Sequence, residues 1–144
     1  CLMAMLPTYN KKGVVLLDVG ANAENTAEQL KDFAIMGHVY AKNIRGIQKP
    51  KVALLNIGSE AKKGDEVHQQ TYQLLEEDKM INFVGNIEGR DILLGEVDVI
   101  VTDGFSGNIA LKTCEGAASV LMKMVKESMM SCCFSNIFNI ICTN

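Results

Sequence analysis

The chain has 144 residues, of which 48% are hydrophobic, and its net charge of −3 comes from 14 basic and 17 acidic residues. This length and composition support one domain with a real core and exclude a disordered chain. The weak charge, with no large cluster of Lys and Arg, argues against a nucleic-acid-binding protein.

The five cysteines are odd in number and show no Cys-x-x-Cys spacing, which favours a reducing cytoplasm over a disulfide-stabilised, secreted protein. His38 and His68 stand in no metal-ligand pattern, so we predict no metal site and no cofactor. We also expect no signal peptide, and no apolar run reaches the length of a membrane span.

Short β-branched runs alternate with longer stretches of helical periodicity along the chain. The predicted elements, in order, are a strand at 14–18, one or two helices at 24–45 capped by Asn25 or Thr26, a strand at 51–57, a helix at 65–77, a strand at 80–84, a short helical turn at 89–94, a strand at 97–102 and a long helix from about 108 to 130. Strands separated by helices, each strand continuously apolar, predict an α/β fold: a Rossmann-like three-layer αβα sandwich with a mainly parallel sheet.

Each of the four predicted strands runs into a loop that contains glycine, and in an open parallel sheet ligands bind outside these carboxyl ends. Glycine allows the backbone to approach a ligand and to point its N–H groups at an anion. Glycine also serves simply to turn the chain, so a single loop is weak support. The four loops together predict an anion site at the carboxyl ends of the strands.

The usual signatures of nucleotide binding and of acyl-enzyme chemistry are missing. No Gly-x-Gly-x-x-Gly follows a strand, and the segment from Gly58 to Gly64 is followed by Asp65 rather than by the Lys-Ser/Thr of a P-loop. Ser106 lies in Gly-Phe-Ser-Gly and not in a Gly-x-Ser-x-Gly nucleophile elbow. A covalent serine or cysteine mechanism therefore has little support.

The ordered phrases of the chain resemble the PlsX-type phosphate acyltransferase family of bacterial phospholipid synthesis. They are Leu-Leu-Asp-Val-Gly-Ala-Asn at 16–22, Phe-Ala-Ile-Met-Gly at 33–37, Leu-Leu-Asn-Ile-Gly at 54–58 followed by Lys-Lys-Gly at 62–64, Asn-Phe-Val-Gly-Asn-Ile-Glu-Gly-Arg-Asp at 82–91 and Thr-Asp-Gly-Phe-Ser-Gly-Asn at 102–108. The family's opening Asp-Ala-Met-Gly-Gly-Asp phrase and its closing part are absent, so we expect the chain to be the middle of a longer enzyme. Residues 1–127 are expected to belong to the α/β domain, and residues 128–144 to begin an apolar helical segment.

The resemblance implies that inorganic phosphate attacks the thioester of acyl-loaded acyl carrier protein, releasing acyl phosphate and the carrier thiol. Phosphate needs N–H donors and a cation, and the thioester oxygen needs donors as it becomes an oxyanion. Lys63 is the cation expected from the resemblance, with Lys62 as its substitute, and Asn108 and Asp103 complete the catalytic set. The residues expected to bind phosphate and substrate are Asn22, Asn56, Gly58, Lys62, Gly64, Asn86, Gly104 and Gly107. Capping and turn roles are alternatives for the asparagines and for Asp103. For Asp18, at the end of a strand, a structural role is as well supported as a functional one.

The tail from 128 to 144 has no charged residue, and as a helix it would place Phe134, Ile137, Phe138 and Ile141 on one face. The resemblance implies membrane contact here and a homodimer, with the protein cytoplasmic and peripheral at the membrane. The alternative for this face is burial in a core or in a dimer interface.

Three other functions remain as alternatives: a short-chain phosphate acyltransferase, a decarboxylating dehydrogenase of related architecture, and an inactive anion-binding fragment. The dehydrogenase would need clustered metal-binding carboxylates, which the sequence does not show.

Overall fold

The structure is a computed structural model that describes the backbone of residues 1–142 and the side chains of residues 1–130. The chain divides into two compact units, Cys1–Leu111 and Lys112–Asn144. The predicted boundary after residue 127 stays a prediction about the domains of the complete protein.

The first unit is built on a five-stranded sheet. Its strands are β1 (Met3–Leu6), β2 (Val14–Leu17), β3 (Lys51–Leu55), β4 (Asn82–Ile87) and β5 (Val99–Val101), arranged in the order β1-β2-β5-β3-β4. Strands β2, β5, β3 and β4 are mutually parallel, as the sequence predicts. β1 pairs antiparallel with β2 at one edge and was not predicted, because four residues give too short an alternating pattern to identify. The sheet is therefore mixed and mainly parallel.

The three helices are α1 (Ala27–Asn43), α2 (Glu66–Glu76) and α3 (Gly104–Cys142). Thr26 starts α1 with a capping box: its side chain accepts a bond from the Gln29 N–H, and the Gln29 side chain accepts one from the Thr26 N–H. The stretch from 24 to 45 is thus one helix. α3 begins four residues earlier than predicted, because Asp103 caps it ahead of Gly104. The short helical turn is a 3₁₀ turn at Gly89–Asp91.

Both faces of the sheet are covered, which explains why β2, β5 and residues 52–55 of β3 are continuously apolar. Alternate residues of β2, β3 and β5, such as Leu17, Leu54 and Val99, pack against the buried face of α1 and against Leu75 of α2. The intervening residues, such as Leu16 and Ile100, face a second cluster that includes Ile92, Val97 and the first turns of α3 through Leu111. The αβα layering follows from this two-sided burial.

The second unit continues α3 from Lys112 onward. Its described side chains include many exposed apolar ones, among them Leu121, Met122, Val125 and Met129. No helix within the described residues is long and apolar enough to cross a membrane.

Gly37 lies at a close contact between α1 and the sheet. A Cβ at this position would overlap Val99 Cγ1 and would lie 2.8 Å from Leu17 Cδ1, and both of these neighbours are buried. Gly116, in α3, has no neighbour within 4 Å of such a Cβ.

The two helical glycines predict opposite effects of the same substitution on thermal stability. Gly116→Ala should raise stability by up to about 1 kcal/mol through helix propensity. Gly37→Ala should lower it by about 1–2 kcal/mol, because overpacking against rigid β-branched and leucine side chains outweighs that gain. Thermal unfolding of the complete protein measures both changes. A Gly37→Ala variant at least as stable as Gly116→Ala would contradict the packing described.

Candidate functional site

A buried carboxylate organises the loop between β2 and α1. Asp18 has no exposed surface, and its two oxygens accept bonds from the backbone N–H groups of Leu2, Gly20, Ala21 and Asn22 and from Asn22 Nδ2. Burial acts to raise the pKa of Asp18, but these donors outweigh it and hold the pKa below its usual value. Asp18 and Asn22 therefore bond to each other and fix the shape of the loop.

The start of α3 packs directly against this loop. A Cβ on Gly104 would overlap the Asn22 carbonyl oxygen, and a Cβ on Gly107 would overlap the Asp18 carbonyl oxygen. Asn108 is exposed and lies beside Gly20. The backbone of α3 approaches the backbone of the loop so closely that both positions require glycine. This requirement is structural and does not depend on any ligand.

Much of the first turn of α3 is already hydrogen-bonded. The Ser106 N–H donates to Asp103 Oδ1 at 2.8 Å and the Gly107 N–H to the Asp103 carbonyl oxygen, while the Gly104 N–H donates to Asn25 Oδ1. Asp103 is thus the N-cap, the alternative role that the sequence suggested for it. An anion at this helix end would have to compete with the Asp103 carboxylate.

The loop between β3 and α2 is differently arranged. Asn56 is buried and ties the loop at its base, donating from Nδ2 to the Lys63 carbonyl oxygen and accepting the Ile57 N–H. Gly64 has φ +87°, and a Cβ there would lie 2.7 Å from Asn56 Oδ1. Between these anchors, the backbone N–H groups of 58–62 make no hydrogen bond to any described residue. This run of available donors is what an anion site needs.

The two lysines of this loop are accessible. Lys62 is exposed, and Lys63 is half exposed with its Nζ 4.0 Å from Glu60 Oε1. The Lys63 side chain lies over Gly58, where a Cβ would come within 3.0 Å of Lys63 Cγ. Asn86, at the end of β4, donates from Nδ2 to the Glu60 carbonyl oxygen and so supports the same loop.

The amino ends of all three helices meet at a cleft of about 610 Å³, which we call the His68 cleft. Its lining residues are Ala23, Glu24, Asn25, Asp65, Val67, His68, Asp103, Phe105 and Ser106. A neighbouring depression shares Asp65, His68 and Ser106 with it and continues to Asn56 and Gly64. The β3–α2 loop and the start of α3 are therefore joined by one continuous surface.

His68 stands between two carboxylates in this cleft. Its Nδ1 lies 2.7 Å from Asp65 Oδ1, and its Nε2 lies 3.8 Å from Asp103 Oδ2. Asp65 is the N-cap of α2 and also accepts the His68 backbone N–H. The two bonds from His68, backbone first and then ring, hold the pKa of Asp65 below its usual value. Asp65 is therefore a stable anchor for the imidazole ring.

The structure brings Asn56, Gly64 and Asp103 to the joined clefts, whereas Lys62, Lys63 and Asn108 lie outside their linings. Sequence reasoning missed His68, Asp65 and Asn25. The available signal was the Asp-x-x-His spacing at a predicted helix start, which places a histidine in the first turn beside its cap. Among the described residues, no group of three or more His, Cys, Asp and Glu side chains is arranged to hold a metal ion. The side chains of Phe134, Ile137, Phe138 and Ile141 lie outside the described residues.

Comparison with solved structures supports the fold. A phosphotransacetylase from Streptococcus pyogenes superposes with a TM-score of 0.58 over 81% of this chain and 41% of its own, at 18% sequence identity. At this identity the likeness extends to the α/β fold alone.

Sequence comparison identifies the family. The family described as "Fatty acid synthesis protein" matches residues 1–144. A phosphate acyltransferase of Exiguobacterium sibiricum is 60% identical over 90% of this chain and 39% of its own length, and one of Streptococcus uberis is 55% identical over 89% of this chain and 38% of its own. The chain thus spans about two fifths of the length of these curated relatives. On the strength of the match along its whole length, the chain belongs to the fatty acid synthesis protein family, the PlsX-type phosphate acyltransferases.

Proposed function

We propose that the complete protein transfers a fatty acyl group from acyl carrier protein to inorganic phosphate and so supplies acyl phosphate for phospholipid synthesis. The observation that carries this proposal is the β3–α2 loop, whose backbone N–H groups at 58–62 make no hydrogen bond to any described residue and which enters the joined clefts at Gly64. Lys62 and Lys63 lie on this loop, just outside the linings of the clefts. The phosphate acyltransferases that this chain resembles support the same reaction.

The loop provides what an attacking phosphate requires. Backbone N–H groups at 58–62 can bind two or three phosphate oxygens, and an ammonium group offsets their charge. Such binding leaves one oxygen to approach the thioester, and holding two reactants in a productive geometry lowers the barrier substantially. Because phosphate is already nucleophilic at neutral pH, the protein need not form a covalent acyl intermediate.

The predicted residues take different roles in this proposal. Lys63 is the phosphate-binding cation, and Lys62 is its substitute. Gly58 and Gly64 shape the loop, while Asn56 and Asn86 hold it from either side through their bonds to main-chain carbonyls. Asp103 with Gly104 and Gly107 sets the position of α3, and Asn108 is a candidate donor to the oxyanion because its side chain is exposed.

The class of reaction can be tested by trapping acyl phosphate with hydroxylamine. The complete protein, given phosphate and long-chain acyl carrier protein, should yield acyl hydroxamate. Product from short acyl-coenzyme A alone would favour the short-chain phosphate acyltransferase. No product from either donor, with a folded protein, would favour an anion-binding role without catalysis.

Lys63→Ala should lower acyl phosphate formation by about tenfold or more, because the cation that binds and orients phosphate is lost. Lys42→Ala is the matched control, since Lys42 is an exposed lysine in the last turn of α1, toward the amino ends of the parallel strands and away from the candidate site. Steady-state rates at varied phosphate concentration measure the effect. Equal rates in the two variants would remove Lys63 from the site.

We further propose that the protein is cytoplasmic, dimeric and peripheral at the membrane, with the apolar residues of the tail as the membrane contact. The support is the uncharged sequence of 128–144 and the apolar surface that α3 already exposes at Leu121, Val125 and Met129.

Phe134→Asp should reduce the fraction of the complete protein that floats with liposomes of anionic phospholipid, because a charged side chain on the apolar face opposes its burial in lipid. Ser135→Asp adds the same charge on the polar face and serves as the control. Equal flotation of both variants and the wild type would exclude this face from membrane contact.

A further inference from the structure

We propose that His68 transfers the proton of the acyl transfer reaction, from the attacking phosphate to the departing sulfur. This inference rests on the proposed function. It assigns to His68 the proton transfer, a role that the lysines and asparagines of the loops do not fill. It starts from the position of the imidazole in the His68 cleft, between Asp65 and Asp103.

The reaction requires one net proton transfer. A phosphate oxygen forms a bond to the acyl carbon, the carbon–sulfur bond breaks, and its electron pair leaves with the sulfur. Hydrogen phosphate carries one proton that acyl phosphate does not need, and the released thiolate requires one to become the carrier thiol. A single group that accepts this proton from phosphate and donates it to the sulfur completes the proton balance without any co-reactant.

The imidazole is the suitable exchanger among the ionisable groups of the cleft. The other ionisable side chains that line the cleft are the carboxylates of Glu24, Asp65 and Asp103. Proton exchange at neutral pH is most efficient for a side-chain type that ordinarily changes charge near neutrality. Histidine titrates near neutrality, where a group can both take and give a proton at a useful rate.

The geometry assigns the two ring nitrogens of His68 different tasks. Asp65, whose pKa is held below its usual value by its bonds from the His68 N–H and ring, accepts a hydrogen bond from Nδ1–H and thereby fixes the ring orientation. Nε2 is then the atom that exchanges a proton. Its separation of 3.8 Å from Asp103 Oδ2 is longer than a hydrogen bond, and His68 and Ser106 both line the two joined clefts.

The ordinary alternative is that His68 only occupies the first turn of α2 and packs beside its cap. The two roles differ in what a substitution does to the pH dependence of the rate. A proton-transfer group contributes more as its basic form becomes populated, while a packing residue contributes equally at every pH. His38, on α1 and in neither of the joined clefts, provides a matched histidine control.

The test measures release of the carrier thiol by the complete protein, with long-chain acyl carrier protein and phosphate, from about pH 6 to 9. His68→Gln should lower kcat by about 100-fold at neutral pH and change the KM for phosphate little. The ratio of wild-type to variant rate should rise with pH through neutrality, because neutral imidazole accepts the proton. Added imidazole should restore part of the rate of His68→Ala, and His38→Gln should match the wild type.

A loss of the same size at every pH, with no rescue by imidazole, would overturn the proton-transfer role and leave His68 as a packing residue. So would a His68→Gln rate within about threefold of the wild type, since general acid–base groups contribute far more than that. Failure of the underlying reaction is a separate outcome: the wild-type protein would then release no carrier thiol in the presence of phosphate.

Discussion

A buried carboxylate must find hydrogen-bond donors within the protein, and Asp18 finds them in the chain that immediately follows it. An ionised group without such donors would be very costly to bury at the end of β2. By drawing the N–H groups of Gly20, Ala21 and Asn22 onto one side chain, Asp18 curls the loop into a single shape. Its bond to the Leu2 N–H also connects this loop to the chain that leads into β1.

That loop then positions the next element. Its carbonyl groups at Asp18 and Asn22 leave no room for a side chain on α3, and only the glycines at 104 and 107 permit the approach. Asn25 adds a bond to the Gly104 N–H. The amino end of α3 is therefore placed by main-chain packing, and Asp103 is brought to face the histidine of α2. The site is a consequence of this packing at the carboxyl edge of the sheet.

Sequence reasoning succeeded where a periodic pattern and a local cap act together. The runs at 14–17 and 52–55 are continuously apolar because both sheet faces are covered, and Thr26 is followed by the Gln29 that completes its cap. The αβα fold, its parallel strands and the edge that holds the loops all follow from such signals. No such signal marks β1, because a four-residue edge strand is defined by its pairing with the neighbouring strand, here β2.

The arrangement of the site was less predictable, because it depends on contacts between distant segments. Asp103 and His68 are 35 positions apart in the sequence and meet only because β3 and β5 are neighbours in the sheet. Lys63 lies on the β3–α2 loop, and its side chain lies beside Glu60 and over Gly58, contacts that no sequence pattern reveals. Asp18 was correctly located at a strand end, and its structural role became clear only from the donors around it.

The loop from 57 to 63 is attached to the fold by side-chain bonds at its two flanks, from Asn56 and Asn86, and most of its own side chains are exposed. Substitutions within it disturb little of the core, whereas those near 18–22 or 104–107 meet tightly packed backbone. Folding stability therefore constrains this loop less than it constrains the segments near 18–22 and 104–107. A substitution in the loop can change the groups that it presents to solvent without a matching loss of stability.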